Sequence, residues 1–183
     1  KASQYLLRAL PICEQLHDET AIVTVLANLG EVYLNRGKTN APLLDSSLFY
    51  LKKGLKISKN SVDITTTYVL NNLGRVYAEK HNYDLAISYE KQSVEIASNL
   101  NAKQDMGKSL LYLADAYLGK GDIDMALRSY QQAEKLLLEV HSVEELVFTY
   151  KGLTQAWVKK GNFNKVFTYQ TLYTDYKDSL YNI

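Results

Sequence analysis

The sequence predicts an all-α fold, a solenoid of antiparallel helix pairs, and three observations carry that prediction. A pattern of Leu, small and aromatic residues recurs about every forty residues, the range of helical-hairpin repeats. Helix breakers are scarce: 9 Gly and only 2 Pro stand in 183 residues, whereas a sheet-rich domain would spend more of both on turns. Small residues also recur seven apart. That spacing is close to two helical turns, so both lie on one face and let a neighbouring helix approach closely.

Four segments carry the repeat: LANLGEVYLNRG at 26–37, LNNLGRVYAEKH at 70–81, LLYLADAYLGKG at 110–121 and YKGLTQAWVKKG at 150–161. Each has a Leu before a smaller residue (Leu29-Gly30, Leu73-Gly74, Leu113-Ala114, Leu153-Thr154) and a ring three positions later (Tyr33, Tyr77, Tyr117, Trp157). The smaller residues are spaced 44, 40 and 40 apart. Each segment leads to a second unit with paired small residues: Ser47/Gly54, Ala86/Ser93 and Ala126/Ala133, degenerating to Val166/Tyr173, with Ala2/Ala9 ahead of them all. The joints KGD at 120–122 and KGN at 160–162 read as helix ends, Gly taking the left-handed cap and Asp122 or Asn162 opening the next helix.

Taken in order, about nine helices are expected. Residues 2–16 are the second helix of an incomplete repeat, and Pro11 within it should bend or shorten it. Four pairs follow, 20–36 with 46–58, 62–80 with 83–99, 103–119 with 123–138, and 143–160 with 163–180. They divide one domain, 1–183, into an incomplete repeat at 1–16 and full repeats at 20–58, 62–99, 103–138 and 143–180. The stretch KTNAPLLDS at 38–46 reads as an inserted turn that lengthens the first step. The four rings are expected to fill the space between paired helices.

The run L-G-x-x-Y, a short turn and A-x6-A resembles the tetratricopeptide repeat. The third repeat matches best, through Leu110, Leu113, Ala114, Tyr117, Gly121, Ala126, Tyr130 and Ala133. The forty-residue step resembles the long-helix type found in bacterial regulators, kinesin light chains and spindle-orientation adaptors. The resemblance implies a right-handed superhelical solenoid whose concave wall is built from the first helix of each pair. It puts Asn28, Asn72, Tyr112 and Gly152 on that wall, with Thr24, Tyr68, Lys108 and Phe148 a turn above. Glu31, Arg75, Asp115 and Gln155 follow a turn below, then Asn35, Glu79 and Lys159.

Amide and mixed-charge side chains along a groove suit an extended peptide, whose backbone needs both donors and acceptors. The candidate peptide-binding residues are Asn28, Glu31, Asn35, Tyr68, Asn72, Arg75, Lys108, Tyr112, Asp115 and Gln155. Asn28 and Asn72 each precede a Leu-Gly pair, and the resemblance implies that Asn there clamps a ligand's main chain. The alternative is an exposed polar residue with no such task. Two of four repeats carry the Asn, so a site would favour the N-terminal half of the groove.

Other chemistry finds little support. A net charge of +1 gives no basic surplus for a phosphate backbone, so nucleic acid is not an expected partner. The single Cys13 cannot close an intramolecular disulfide, and both cytoplasmic and extracytoplasmic addresses stay open. His17, His81 and His141 fall near helix ends in separate repeats, so no metal site is expected. LGKGD at 118–122 lacks the Lys-Ser/Thr ending and preceding strand of a phosphate loop. Glu144-Glu145 and Asp18-Glu19 sit at helix starts, where they complement the helix dipole. No catalytic constellation or cofactor motif is present, and no run approaches the roughly 18 apolar residues of a membrane span.

The chain opens at Lys1 without a leader and in mid-repeat, so it is expected to be part of something longer. Its first helix would then expose an apolar face around Tyr5, Leu6, Ala9 and Leu10, open to self-association. The closing LYTDYKDSLYNI at 172–183 resembles the junction after the repeats of Bacteroidetes-type bacterial sensors, which leads on to a histidine kinase or DNA-binding output. That resemblance implies a non-catalytic peptide- or protein-binding module, the sensory or scaffolding part of a bacterial two-component signalling protein. A free-standing adaptor, a peptide-regulated switch and a spacer that only dimerises an output domain stay open beside it.

Overall fold

The computed structural model describes residues 2–58 and 63–181. Among them are nine helices and no strand: α1 (Ala2–Gln15), α2 (Glu19–Gly37), α3 (Pro42–Ser58), α4 (Ile64–Glu79), α5 (Tyr83–Asn99), α6 (Lys103–Lys120), α7 (Ile123–Glu139), α8 (Val143–Lys160) and α9 (Phe163–Tyr181). The expected start of the fourth helix at 62 and the last two residues of the closing stretch lie outside the described residues.

The expectations at Pro11 and at 38–46 fare differently. Helix α1 runs unbroken through Pro11 to Gln15. The carbonyl that Pro11 leaves without a donor belongs to Leu7, which is 41% exposed, so water can serve it. The insertion at 38–46 is only in part a turn. Helix α3 begins at Pro42, with proline in the first helical position, where its missing N–H costs nothing and its fixed φ suits the helix.

The joints explain the histidines. Gly121 and Gly161 take left-handed caps with φ of 90° and 74°, and four other helix ends place His17, His81, Asn101 and His141 in the same conformation at φ 53–57°. The histidines thus terminate three different helices, in separate repeats. Helices α2 and α7 then open on side-chain caps, the Ala21 amide donating to Asp18 at 2.9 Å and the Met125 amide to Asp122 at 3.2 Å, whereas α6 and α8 have no side-chain cap.

Packing follows the small-residue pattern. Ser47, Gly54, Ala86, Ser93, Ala126 and Ala133 are all buried. Ser47 Oγ donates to the Gly30 carbonyl at 2.6 Å, fastening α3 to α2. Each helix packs on its sequence neighbours, and α2, α4, α6 and α8 also touch one another in series, whereas the odd-numbered helices do not. The even helices therefore form the inner wall and the odd ones the outer. Ion pairs with the same period tie successive hairpins: Lys80 to Asp45 at 2.8 Å, Lys120 to Asp84 at 2.7 Å, and Lys160 to Asp124.

The four rings occupy the seams of the pairs, but only Tyr117 is buried. Tyr33 stacks on Tyr50 and Tyr77 on Tyr89, each at 5.5 Å between centroids, and Tyr33, Tyr77 and Trp157 stay half-exposed. On α1 the residues expected to be bare divide. Leu6, Ala9 and Leu10 are half-buried and Tyr5 is 67% exposed; Ile12 and, just past the helix end, Leu16 extend the Tyr5 stripe by helical spacing at 58% and 73%.

Candidate functional site

The inner wall carries three adjoining depressions. The N-terminal one, about 230 Å³, is lined by Thr24, Ala27 and Asn28 of α2 and Ile64, Thr65 and Tyr68 of α4. A small middle one lies between Glu31, Tyr68, Asn71, Asn72, Arg75, Lys108 and Tyr112. The largest of the three, about 420 Å³, is lined by Leu34, Asn35 and Lys38, by Gly74, Arg75, Ala78 and Glu79, by Glu90, by Leu111, Tyr112 and Asp115, and by Phe148. Residues spaced three, four and seven apart on α2, α4 and α6 thus form one continuous strip, as a helical face requires.

Two cation–ring contacts cross between α4 and α6. The Arg75 guanidinium lies 5.1 Å from the Tyr112 ring, and Lys108 Nζ 5.2 Å from the Tyr68 ring. Each helix gives one cation and one ring to the other, which sets both cations over the groove floor. Arg75 Nη1 also donates to Asn72 Oδ1 at 2.8 Å and to Glu31 Oε1 at 3.4 Å. Lys108 faces Glu145 at 4.0 Å. Burial works against the Lys108 charge, but Tyr112, Tyr68 and the acids Glu145 and Glu31 together raise its pKa.

The two asparagines differ. Asn28 is exposed at the mouth of the first depression, whereas Asn72 is 4% exposed and its amide oxygen is held by Arg75. Asn28 can meet a ligand as it stands. Asn72 orients a guanidinium that can. Gln155 is exposed on α8 but lines none of these depressions, and Gly152 is buried.

Gly152 has another task. The Tyr130 side chain from α7 fills the space a β-carbon there would take, and its hydroxyl donates to Asp115 Oδ1 on α6. Asp115 is open to solvent through the groove mouth yet walled by protein elsewhere. Desolvation lifts its pKa to about 6, against the lowering pull of the Tyr130 hydroxyl and of Arg75, Lys151 and Lys38. The same pairing and burial push the Tyr130 hydroxyl far above its ordinary value.

Residues 63–139 match the model of the tetratricopeptide repeat family. The structure is similar to BtubC (BKLC) from P. vanneervenii, with a TM-score of 0.81 and 18% identity over 98% of this chain and 73% of that one. It is similar to a signal transduction ATPase with numerous domains and a tetratricopeptide repeat sensor, from Pyrococcus horikoshii, at TM-score 0.74 and 20% identity, covering 93% of this chain but 26% of that one. The MamA protein aligns at TM-score 0.58 and 16% identity over 99% of this chain and 96% of that one. No curated protein matches the sequence.

The fold is a tetratricopeptide solenoid. In α3, α5 and α7 the position midway between the paired small residues points into the core. Leu51 and Tyr130 hold that position in two repeats, and both are fully buried. The repeat between them has Glu90, which is 1% exposed. Among the described residues neither of its carboxyl oxygens has a hydrogen-bond partner. Burial and the nearby Asp115 raise its pKa well above the carboxylate range, with Arg75 pulling the other way. Glu90 was not among the sequence candidates. Alignment of the second helices, Ser47-x3-Leu51, Ala86-x3-Glu90 and Ala126-x3-Tyr130, is the signal that marks it.

Among the described residues of this solenoid, no three His, Cys, Asp or Glu side chains are grouped to hold a metal, and no helix is long and apolar enough to cross a membrane.

Proposed function

We propose that the concave wall captures an extended peptide segment of a partner protein, and that the chain acts as a non-catalytic recognition module. The observation that carries this reading is the continuous strip on α2, α4 and α6. It offers an exposed amide at Asn28, oriented cations at Arg75 and Lys108, ring edges at Tyr68 and Tyr112, and carboxylates at Glu31 and Asp115. A peptide backbone presents alternating donors and acceptors, and such a strip can answer both along its length. The test is a display screen of random peptides on the wild type and on Asn28→Ala/Tyr68→Ala. Retention of selected peptides by the wild type and their loss by the double variant is the expected result; equal binding by both removes these residues from the site.

A sensory or scaffolding place in a bacterial signalling protein fits this reading. The Pyrococcus horikoshii neighbour is described as having a tetratricopeptide repeat sensor, and the closing stretch at 172–183 resembles the junction that precedes the output domains of two-component sensors. Self-association has its own favouring observation, the exposed Tyr5 and Ile12 on α1 with Leu16 just past its end. Light scattering of wild type against Tyr5→Lys/Ile12→Lys distinguishes it: a dimer lost in the variant supports that contact, and a monomeric wild type dismisses it.

A further inference from the structure

We infer that the largest of these three depressions takes one positively charged side chain of the partner, an arginine or lysine, between the Asp115 and Glu90 carboxyls and under the Phe148 ring. The inference rests on the peptide-capture reading and names the chemistry of one subsite within it.

The carboxyls lining this cavity outnumber its cations, and Glu90, whose burial favours the protonated form, is the one left without a partner among the described residues. Three acids line it, Glu79, Glu90 and Asp115, and two bases, Lys38 and Arg75. Lys38 pairs with Glu79 at 3.8 Å, and Arg75 is engaged by Asn72, Glu31 and the Tyr112 ring. Asp115 has one oxygen bonded to Tyr130, and Glu90 has no partner among the described residues. A buried carboxyl without a partner is costly, and it stands where sister repeats have Leu51 and Tyr130. That cost is unexplained by the fold, since the sister repeats close the same seam with uncharged side chains. A ligand cation would supply the missing partner.

The shape agrees. The volume, about 420 Å³, lies within the range of small-ligand sites. Phe148 is 53% exposed on the cavity rim, a large ring in the position to cover an incoming guanidinium or ammonium group. Gly74 and Tyr130 complete the arrangement, the first by leaving room for the Glu90 carboxyl and the second by holding Asp115.

The probe is N-acetyl-arginine methylamide, titrated into the ¹⁵N-labelled chain against its norleucine counterpart, with the pentapeptide Ala-Ala-Arg-Ala-Ala as a third arm. Saturable shifts at the amides of 74–79 and 111–115 with the arginine amide, at least tenfold weaker in Asp115→Asn and in Glu90→Gln, are expected. Norleucine amide should bind at least tenfold more weakly, and the pentapeptide more tightly than the single residue. Phe148→Ala, at an exposed position, serves should Glu90→Gln fail to fold, and should weaken arginine binding alone. Equal binding of the norleucine amide, or full arginine affinity in Asp115→Asn, overturns the subsite. If display-selected peptides still occupy the groove in that case, the capture reading stands without it. A pentapeptide no tighter than the amide overturns the assignment to a partner's side chain in favour of a free small cation.

Discussion

The Glu90 carboxyl occupies the space that a side chain at Gly74 would fill. An α5 acid therefore reaches the groove only because α4 is bare at that point. The sister repeat solves the same contact with Leu51 against Gly30. Gly74→Ala should destabilise the chain by about 1–3 kcal/mol through overpacking, despite a gain in helix propensity of up to about 1 kcal/mol. In a Glu90→Ala background the same substitution should be neutral or stabilising. Urea unfolding of the four proteins gives the coupling; additive effects would contradict the contact.

Stability should also fall as pH rises. Glu90 and Asp115 both titrate above their ordinary values in the folded chain, so between the unfolded and folded values the folded state holds protons that the unfolded state releases. Their stabilising contribution is complete at low pH, below the unfolded carboxylate range. It is lost as pH rises, for Asp115 through about 6 and for Glu90 beyond the carboxylate range. For the buried Glu90 the slope reaches at most about 1.4 kcal/mol per pH unit, and for the solvent-exposed Asp115 screening by water makes it smaller. Thermal unfolding of Glu90→Gln at pH 5 and pH 8 checks this: the variant should gain on the wild type at pH 8, and parallel curves would contradict it.

Tyr130 holds Asp115 down. Its hydroxyl is the largest influence favouring the Asp115 carboxylate, so Tyr130→Phe should move the Asp115 titration above about 6. Gly152→Ala should act in the same direction, by displacing the Tyr130 ring. Carboxyl ¹³C titration reads both, and an unchanged midpoint would mean that the hydroxyl does not govern Asp115.

The two asparagines should separate cleanly. Asn28 is exposed, so Asn28→Ala should change stability by no more than about 0.5 kcal/mol. Asn72 is buried and accepts from Arg75, so Asn72→Ala should cost about 1–3 kcal/mol through a half-buried guanidinium left short of an acceptor. Denaturant melts that rank them the other way would refute the difference in their roles.

The helices were readable because each depends on local chemistry: caps at Asp18 and Asp122, left-handed ends at Gly121 and Gly161, and small residues two turns apart. The histidine caps were harder. His17, His81 and His141 take the conformation usually left to glycine, and nothing in composition marks that choice. The groove strip on α2, α4 and α6 follows from helical spacing once the wall is assigned. Which of its side chains are free does not, because Asn28 and Asn72 share a sequence setting and differ only in whether an arginine sits one turn below: Arg75 follows Asn72, and Glu31 follows Asn28. Glu90 lies on a second helix, outside the strip, and reaches the cavity through the Gly74 gap. A search confined to first helices passes over it.

Peptide capture by the inner wall is the central claim, and chemical-shift mapping with a display-selected peptide tests it most directly. Perturbed amides on α2, α4 and α6, centred on Asn28, Glu31, Arg75, Lys108 and Tyr112, and an affinity at least tenfold lower in Arg75→Ala are the expected result. Perturbations confined to the odd-numbered outer helices, or an Arg75→Ala protein that binds the peptide as the wild type does, would contradict it.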